Sequence, residues 1–217
     1  MPESWIDFIP TLLEGAKITV TVALFATLLA IIAAFVSGLM CLSRLRLIRW
    51  ISSVYVEVFR GTSLLVQLFW LYFALPFAGL ELPKLLAAVL AVGLNFGAYG
   101  SEVVRSAILA VPKGQWEASI VLNMKPWQRM THIILPQAAL RMLPPFGNLL
   151  VELIKSTSLV YFITMADLTY QAMVLRNNYI SWTSEILLLL LLMYLAITSI
   201  VSFGIRFWER KWSEGRT

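Results

Sequence analysis

Polar side chains that share one helical face inside apolar stretches are the first candidates for chemistry in this sequence. Asn148, Glu152 and Ser156 follow one another at intervals of four residues, so a helix would place them on one side, beside Lys155. Ionisable groups are costly inside a bilayer and usually face a cavity or one another. This face is therefore predicted either to line a path for a polar solute or to hold an internal pair between Glu152 and Lys155.

A second polar face occurs in an earlier apolar stretch, where Asn95, Tyr99 and Glu102 have nearly the same spacing. A helix brings residues three or four apart onto one side, so these three residues are predicted to share one face. Two further pairs are expected to be structural: Glu102 with Arg105, and Glu57 with Arg60 or with a neighbouring helix.

Residues 111–132 separate two apolar stretches and are too long for a simple turn. Residues 115–122 favour a helix in which Trp116, Ile120 and Val121 place apolar groups on one side. A short amphipathic helix outside the membrane suits docking into a groove of another protein. The alternative is a solvated connector that only returns the chain to the membrane.

A second short helix is predicted to follow within the same segment. Pro126 suits a first helical position, so a helix is expected to begin after Lys125 and to continue toward Met130. Glu117 falls in the first turn of the preceding helix, where a carboxylate interacts favourably with the helix dipole. Two short helices joined by a tight corner are the local prediction.

Long apolar windows identify the bilayer as the solvent of this chain. With 59% hydrophobic and 13% charged residues among 217, it is too apolar for an ordinary soluble domain. A spanning helix needs about 20 mainly apolar residues, and five windows satisfy this requirement. We predict an all-α integral membrane protein with a single domain, residues 1–217. The predicted spans are residues 18–41, 54–77, 85–109, 133–155 and 185–207.

The distribution of basic residues predicts the orientation of these spans, because Lys and Arg accumulate in cytoplasmic loops. Alternate loops carry eleven basic residues on one side and four on the other. An outside N-terminus and a cytoplasmic C-terminus follow, which places residues 111–132 in the cytoplasm. This topology accounts for the net charge of +5, and no basic block is interleaved with aromatic residues as a nucleic-acid surface requires. The larger group comprises Arg44, Arg46, Arg49, Arg105, Lys113, Lys125, Arg129, Arg206, Arg210, Lys211 and Arg216; the smaller comprises Lys17, Lys84, Lys155 and Arg176.

The N-terminal residues 1–17 do not have the basic start of a signal peptide. Apolar residues, among them Trp5, Phe8 and Leu12, recur there at helical spacing. We expect a short amphipathic helix that lies at the membrane interface before the chain turns into the bilayer.

Residues 111–132, which we call the corner segment, resemble the EAA loop of the permease subunits of binding-protein-dependent ABC importers. Glu117 and Ala118 match the opening of that pattern, with Ser119 where a second alanine is usual, and residues 133–136 match its closing I-x-L-P. Asn123 stands where the family has glycine. A glycine there implies a positive φ, and Asn is among the few other residues that adopt one with modest strain.

The resemblance extends along most of the chain and indicates the polar amino acid uptake branch of that family. The other matching blocks are LEG at 13–15, YVEVFRGTSLLVQ at 55–67, AYGSE at 98–102 and KSTSL at 155–159. The resemblance implies the type I ABC importer permease fold, with five transmembrane helices and a cytoplasmic coupling-helix loop.

The resemblance also implies roles for the candidate residues. Glu117, Ala118, Ser119, Asn123, Lys125 and Pro126 would couple the chain to a separate ATPase dimer that binds ATP and Mg. Asn95, Tyr99, Asn148, Glu152 and Ser156 would line the substrate path, with Glu152 taking an ammonium group. Further partners would be a second permease subunit, identical or homologous, an extracytoplasmic substrate-binding protein, and the lipid of the bacterial inner membrane.

The sequence itself supports this division of labour. It contains no G-x-x-x-x-G-K-[ST] phosphate loop, and its single His and single Cys form no metal site or activated nucleophile. A transport subunit without a bound cofactor, rather than an enzyme, is therefore predicted. The predicted cargo is a polar amino acid, with an ectoine-type compatible solute as the alternative. An ion-coupled secondary transporter is a more distant alternative, since it has no use for residues 111–132.

Overall fold

The computed structural model describes residues 4–213, and within them every regular element is a helix. Residues 1–3 of the predicted N-terminal helix and Arg216 of the charge count lie outside the described residues. Nine α-helices follow one another along this part of the chain. They are α1 (Ile9–Cys41), α2 (Arg46–Gly61), α3 (Leu64–Phe69), α4 (Lys84–Leu109), α5 (Lys113–Val121), α6 (Pro126–Arg129), α7 (Leu135–Ser156), α8 (Leu168–Asn178) and α9 (Thr183–Ser213).

Helices of spanning length confirm the predicted all-α membrane architecture. Four continuous helical stretches are long and apolar enough to cross a bilayer: Trp5–Cys41, Lys84–Leu109, Pro126–Ile163 and Ile180–Trp208. A fifth span is obtained if the bent pair of α2 and α3 is counted as one crossing. The predicted third span agrees with α4 almost to the residue.

The prediction of one continuous helix over residues 54–77 is wrong. The axis bends by 104° between α2 and the helical stretch Leu64–Ala78. Thr62 and Ser63 have extended backbone, with ψ of 153° and 134°. Gly61 precedes them, and Gly, Ser and Thr are all poor helix formers. The apolar run concealed this break, since hydropathy does not register three small residues.

The predicted turn between an N-terminal interfacial helix and the first span is also absent. A 3-10 turn over Trp5–Phe8 continues directly into α1. Phe8 and Leu12 are buried against residues of α8 and α9. Phe8 and Leu12 therefore pack on the protein, which favours a straight continuation of the helix, whereas Trp5 stays exposed.

Helix α4 lies at the centre of the molecule and packs closely against α1. A Cβ atom added at Gly97 would lie 2.6 Å from Cβ of Ala33, and one added at Gly100 would lie 2.8 Å from Cβ of Ala34. Small residues at such contacts let helix backbones approach and increase their van der Waals packing. This contact fixes α4, which carries Asn95 and Tyr99.

Two apolar clusters define the two ends of the bundle. One cluster joins Val111 after α4 with Ile134 before α7, and Leu42 after α1 packs against it. The other cluster joins Phe8 with Leu168 of α8 and Ile186 of α9. The connectors richest in basic residues are thus at the same end of the molecule, as the alternate-loop count requires.

Candidate functional site

The corner segment consists of α5 and α6 with Asn123 between them. Asn123 has a φ of 53°, so the expected left-handed conformation is confirmed. Its N–H donates to the carbonyl of Ile120 at 2.8 Å, and the N–H of Met124 donates to the carbonyl of Ser119 at 3.1 Å. These two bonds form a Schellman motif, which satisfies the carbonyls at the end of α5. The predicted pair of short helices with a tight corner is confirmed.

The apolar residues of α5 divide between two environments, contrary to the prediction that they share one side. Trp116 packs against the apolar cluster of the membrane helices, whereas Val121 is 84% exposed. Ile120, Leu122 and Trp127 are also exposed. The four exposed apolar residues lie on either side of the corner at Asn123, and we call them the corner patch (Ile120, Val121, Leu122 and Trp127). An exposed apolar patch of this kind marks an interaction site.

The matched residues of the EAA pattern have different surroundings. Glu117 and Ala118 are exposed, whereas Ser119 is fully buried. The Ser119 hydroxyl donates to the carbonyl of Trp116 at 2.6 Å. Ser119 therefore lies on the covered side of α5, and the side chains available to another protein are those of Glu117, Ala118 and the corner patch.

A side-chain hydrogen bond joins the corner segment to the membrane helices. The side-chain amide of Gln137 in α7 donates to Oε1 of Gln115 in α5 at 3.2 Å. Beyond the corner, α6 begins at Pro126 as predicted, and the N–H of Lys125 donates to Oε1 of Gln128 at 3.0 Å. A displacement of α5 would therefore be transmitted to α7.

The predicted path residues of α7 are on an accessible face. Asn148 and Glu152 are exposed and Ser156 is half-buried. Among the described residues Glu152 and Lys155 form no ion pair, so the internal pair considered as an alternative is absent. Glu152 remains an available carboxylate near the C-terminal end of α7.

The predicted path residues of α4 differ in their exposure. Tyr99 is exposed, whereas Asn95 is only 5% exposed. The structural pair of Glu102 and Arg105 is confirmed, with 2.9 Å between Oε2 and Nη2.

Asn95 belongs to a polar cluster that closes the break between α2 and α3. Its Nδ2 donates to the carbonyl of Phe59 at 2.8 Å and to Oε1 of Gln67 at 3.1 Å. Nε2 of Gln67 donates to the same carbonyl at 2.9 Å and to the Thr62 hydroxyl at 2.7 Å. We call these residues the break clasp (Phe59, Thr62, Gln67 and Asn95). It supplies donors to a carbonyl that the broken helix leaves without its usual partner.

Sequence reasoning missed a buried acidic residue at the start of α8. Asp167 is 0% exposed, and its carboxylate accepts hydrogen bonds from the backbone N–H groups of Thr169 and Tyr170 at 3.2 and 3.0 Å. Burial raises the pKa of Asp167 from 3.8 to about 6, and these hydrogen bonds oppose the rise. An Asp immediately before a helix is an N-cap signal, so the pattern at 167–170 was available in the sequence.

The comparisons with known proteins all identify membrane components of transport systems. Residues 18–214 match the model of the family described as binding-protein-dependent transport system inner membrane component. The chain is 44% identical over 211 residues to a probable amino-acid ABC transporter permease protein of Sinorhizobium fredii, covering 94% of this chain and 88% of the relative. It is 38% identical over 210 residues to the glutamine transport system permease protein of Escherichia coli, covering 94% and 93%.

A solved structure gives the same result for the fold. A chain of an amino acid ABC transporter crystallised with histidines superposes with a TM-score of 0.89 and 31% identity. The superposition covers 97% of this chain and 100% of the other.

Proposed function

The chain belongs to the family of inner membrane components of binding-protein-dependent transport systems, and from this premise we propose how it transports its cargo. It is a permease subunit of an ABC importer and not an enzyme, and its fold is that of the type I importer permeases. The proposed cargo is a polar amino acid or a similar zwitterionic solute. Its relatives with amino-acid permease names favour this cargo over an ectoine-type solute.

Coupling to ATP hydrolysis is assigned to the corner segment. The observation that supports this assignment is the exposure of the corner patch, at the end of a segment that is hydrogen-bonded to α7. We assign its partner as an ATPase subunit, with Glu117, Ala118, Asn123, Lys125 and Pro126 at or beside the contact. Ser119 supports the contact from the buried side of α5. ATP and Mg would be bound by that ATPase, which forms a dimer.

The substrate path is assigned to polar residues of α4 and α7. Tyr99, Asn148, Glu152 and Ser156 would line it, with Glu152 facing the ammonium group, and Asn95 would border it from behind. Support comes from the exposure of Asn148 and Glu152 inside an apolar helix, because ionisable groups in spans usually face a cavity.

The assembly would contain two permease subunits, identical or homologous, above the ATPase dimer and below an extracytoplasmic binding protein. The N-terminus would be outside and the C-terminus cytoplasmic. The location of the basic connectors at one end of the bundle supports this orientation.

The test is transport by the purified complex with its ATPase and binding protein in proteoliposomes. Uptake should require internal ATP, and an ion-driven carrier would not need it. Glu117→Arg should lower substrate-stimulated ATP hydrolysis and uptake at least about tenfold, since losing an interface anchor costs about 2 kcal/mol or more.

The matched control is Glu14→Arg, the same substitution at an exposed position near the opposite end of the bundle. It should leave both activities near the wild-type level. Normal stimulated ATP hydrolysis in Glu117→Arg, in protein that reaches the membrane in the usual amount, would disprove the docking assignment. For the path, Glu152→Gln should weaken uptake while basal ATP hydrolysis persists.

A further inference from the structure

Arg60 is a cation without a carboxylate partner at the break in the second span. Its Cζ lies 5.3 Å from the centroid of the Tyr99 ring. Within residues 4–213 it forms no ion pair, so neither expected alternative, a pair with Glu57 or one with a neighbouring helix, is present. The side chain is exposed. A guanidinium in a spanning segment is costly unless it is paired or faces a water-filled cavity, so this arrangement requires an explanation.

The break, Tyr99 and the acidic residue of α7 lie at a common level of the bundle. Leu64, the first residue beyond the break, packs against an apolar cluster that contains Phe96 and Leu153. The rings of Phe96 and Tyr99 are 6.3 Å apart, and Leu153 directly follows Glu152 in the chain. Arg60 is thus at the level of the proposed path rather than at the interface with water.

Contact with Tyr99 leaves the hydrogen-bonding capacity of Arg60 unused. A cation above an aromatic ring is held through the face of the ring, and this offsets part of its desolvation. The planar guanidinium still presents its N–H donors in a fork whose geometry matches a carboxylate. The anion that completes this arrangement would be a carboxylate.

The break clasp determines where Arg60 points. The carbonyl of Phe59, the preceding residue, accepts from both Asn95 and Gln67, at 2.8 and 2.9 Å. These bonds fix the end of α2 against α4, which also carries Tyr99. Asn95 and Gln67 act on the cargo only through this positioning.

We propose that Arg60 binds the carboxylate of the transported amino acid, on the Tyr99 side of a path whose other wall carries Glu152. This inference rests on the proposed function. A zwitterion would then have a cation for its carboxylate and a carboxylate for its ammonium group, on two different helices.

The test compares an amino acid with its own α-carboxamide, which removes the negative charge and keeps the side chain. The complex of permease and ATPase in nanodiscs, without binding protein, is first screened for binding of the proteinogenic L-amino acids. For the tightest binder, the wild type should prefer the free acid over the amide by about tenfold or more, as expected for a charge-assisted hydrogen bond. Arg60→Gln should reduce that preference to within about twofold, with the affinity for the amide unchanged.

Two further variants sharpen this test. Arg60→Lys keeps the positive charge without the paired N–H donors of a guanidinium, and it should retain part of the preference for the acid over the amide. Arg49→Gln is the matched control, because it makes the same change on the same helix, and it should retain the full preference.

Two results would overturn the proposal: an unchanged acid preference in Arg60→Gln, or an equal loss of acid and amide binding, which indicates a structural role. If the unchanged preference is accompanied by dissociation of the two permease subunits, Arg60 pairs with a carboxylate across that interface. Failure of the wild type to bind any of the amino acids would instead refute the proposed function.

Discussion

Helices of this chain are interrupted at the corner between α5 and α6 and at the break between α2 and α3, and the two interruptions are stabilised differently. At the corner, backbone N–H groups of Asn123 and Met124 satisfy the free carbonyls of the same segment. At the break, side chains from α3 and α4 reach the free carbonyl of Phe59. The corner is therefore a local structure, whereas the break depends on tertiary contacts.

The difference follows from the surroundings of each interruption. The corner segment is largely exposed, so water can satisfy whatever the Schellman motif leaves free. Inside a bilayer an unsatisfied carbonyl costs several kcal/mol, and a broken helix there needs partners from neighbouring helices. A self-contained corner can be displaced as a unit by a partner, while a clasped break maintains a fixed position for Arg60.

The largest effect on transport is expected from a change that removes the left-handed conformation and the backbone hydrogen bond of Asn123 at the corner. Asn123→Pro forces φ near −65° and removes the N–H that bonds Ile120, so the corner patch loses its position. Stimulated ATP hydrolysis and uptake should fall at least about tenfold, with normal amounts of protein in the membrane.

The control at this position is Asn123→Gly, which adopts a positive φ without strain and should transport at the wild-type rate or faster. Equal activity of the proline and glycine variants would show that the corner conformation has no part in coupling.

A smaller effect on transport but a clear effect on stability is expected at the break. Asn95→Leu removes a donor from the Phe59 carbonyl and leaves Gln67 partly unpaired, which should destabilise the protein by about 1 to 3 kcal/mol. Thermal unfolding of the detergent-purified subunit measures this loss.

Asn148→Leu is the matched comparison for stability, because Asn148 is exposed and makes no side-chain hydrogen bond within the described residues. If the two leucine variants unfolded at the same temperature, the break clasp would contribute nothing to stability.

Asp167 extends the comparison to a third helix end, which a buried carboxylate caps. Because its folded pKa is raised from 3.8 to about 6, the folded state binds the proton more tightly than the unfolded state does. Its contribution to stability is therefore fully present below about 3.8 and is lost as pH rises through about 6.

The measurement is the difference in unfolding free energy between wild type and Asp167→Asn across pH 4 to 7. It should change by about 2 kcal/mol in favour of the wild type toward the acidic end. A difference that does not vary with pH would mean that Asp167 titrates normally, and the cap would then be no more than a pair of hydrogen bonds.

Much of the corner was predictable because its determinants are local. Pro126 at a helix start and Asn at a left-handed corner act through their own backbone preferences, whatever surrounds them. The inward orientation of Trp116 was not predictable from spacing, because a nine-residue helix touching the bundle does not reveal by itself which side is covered.

The sequence by itself determined the membrane class, the spans that are continuous helices, the two short helices of the corner, and the polar residues on α4 and α7. Composition and helical periodicity are properties of the chain alone. Only the tertiary structure decided that the second span is broken and that Asn95 satisfies that break. It also decided that Arg60 lies over Tyr99 instead of pairing with Glu57. These outcomes depend on which helices become neighbours, and a buried polar group is satisfied by whatever its neighbours supply.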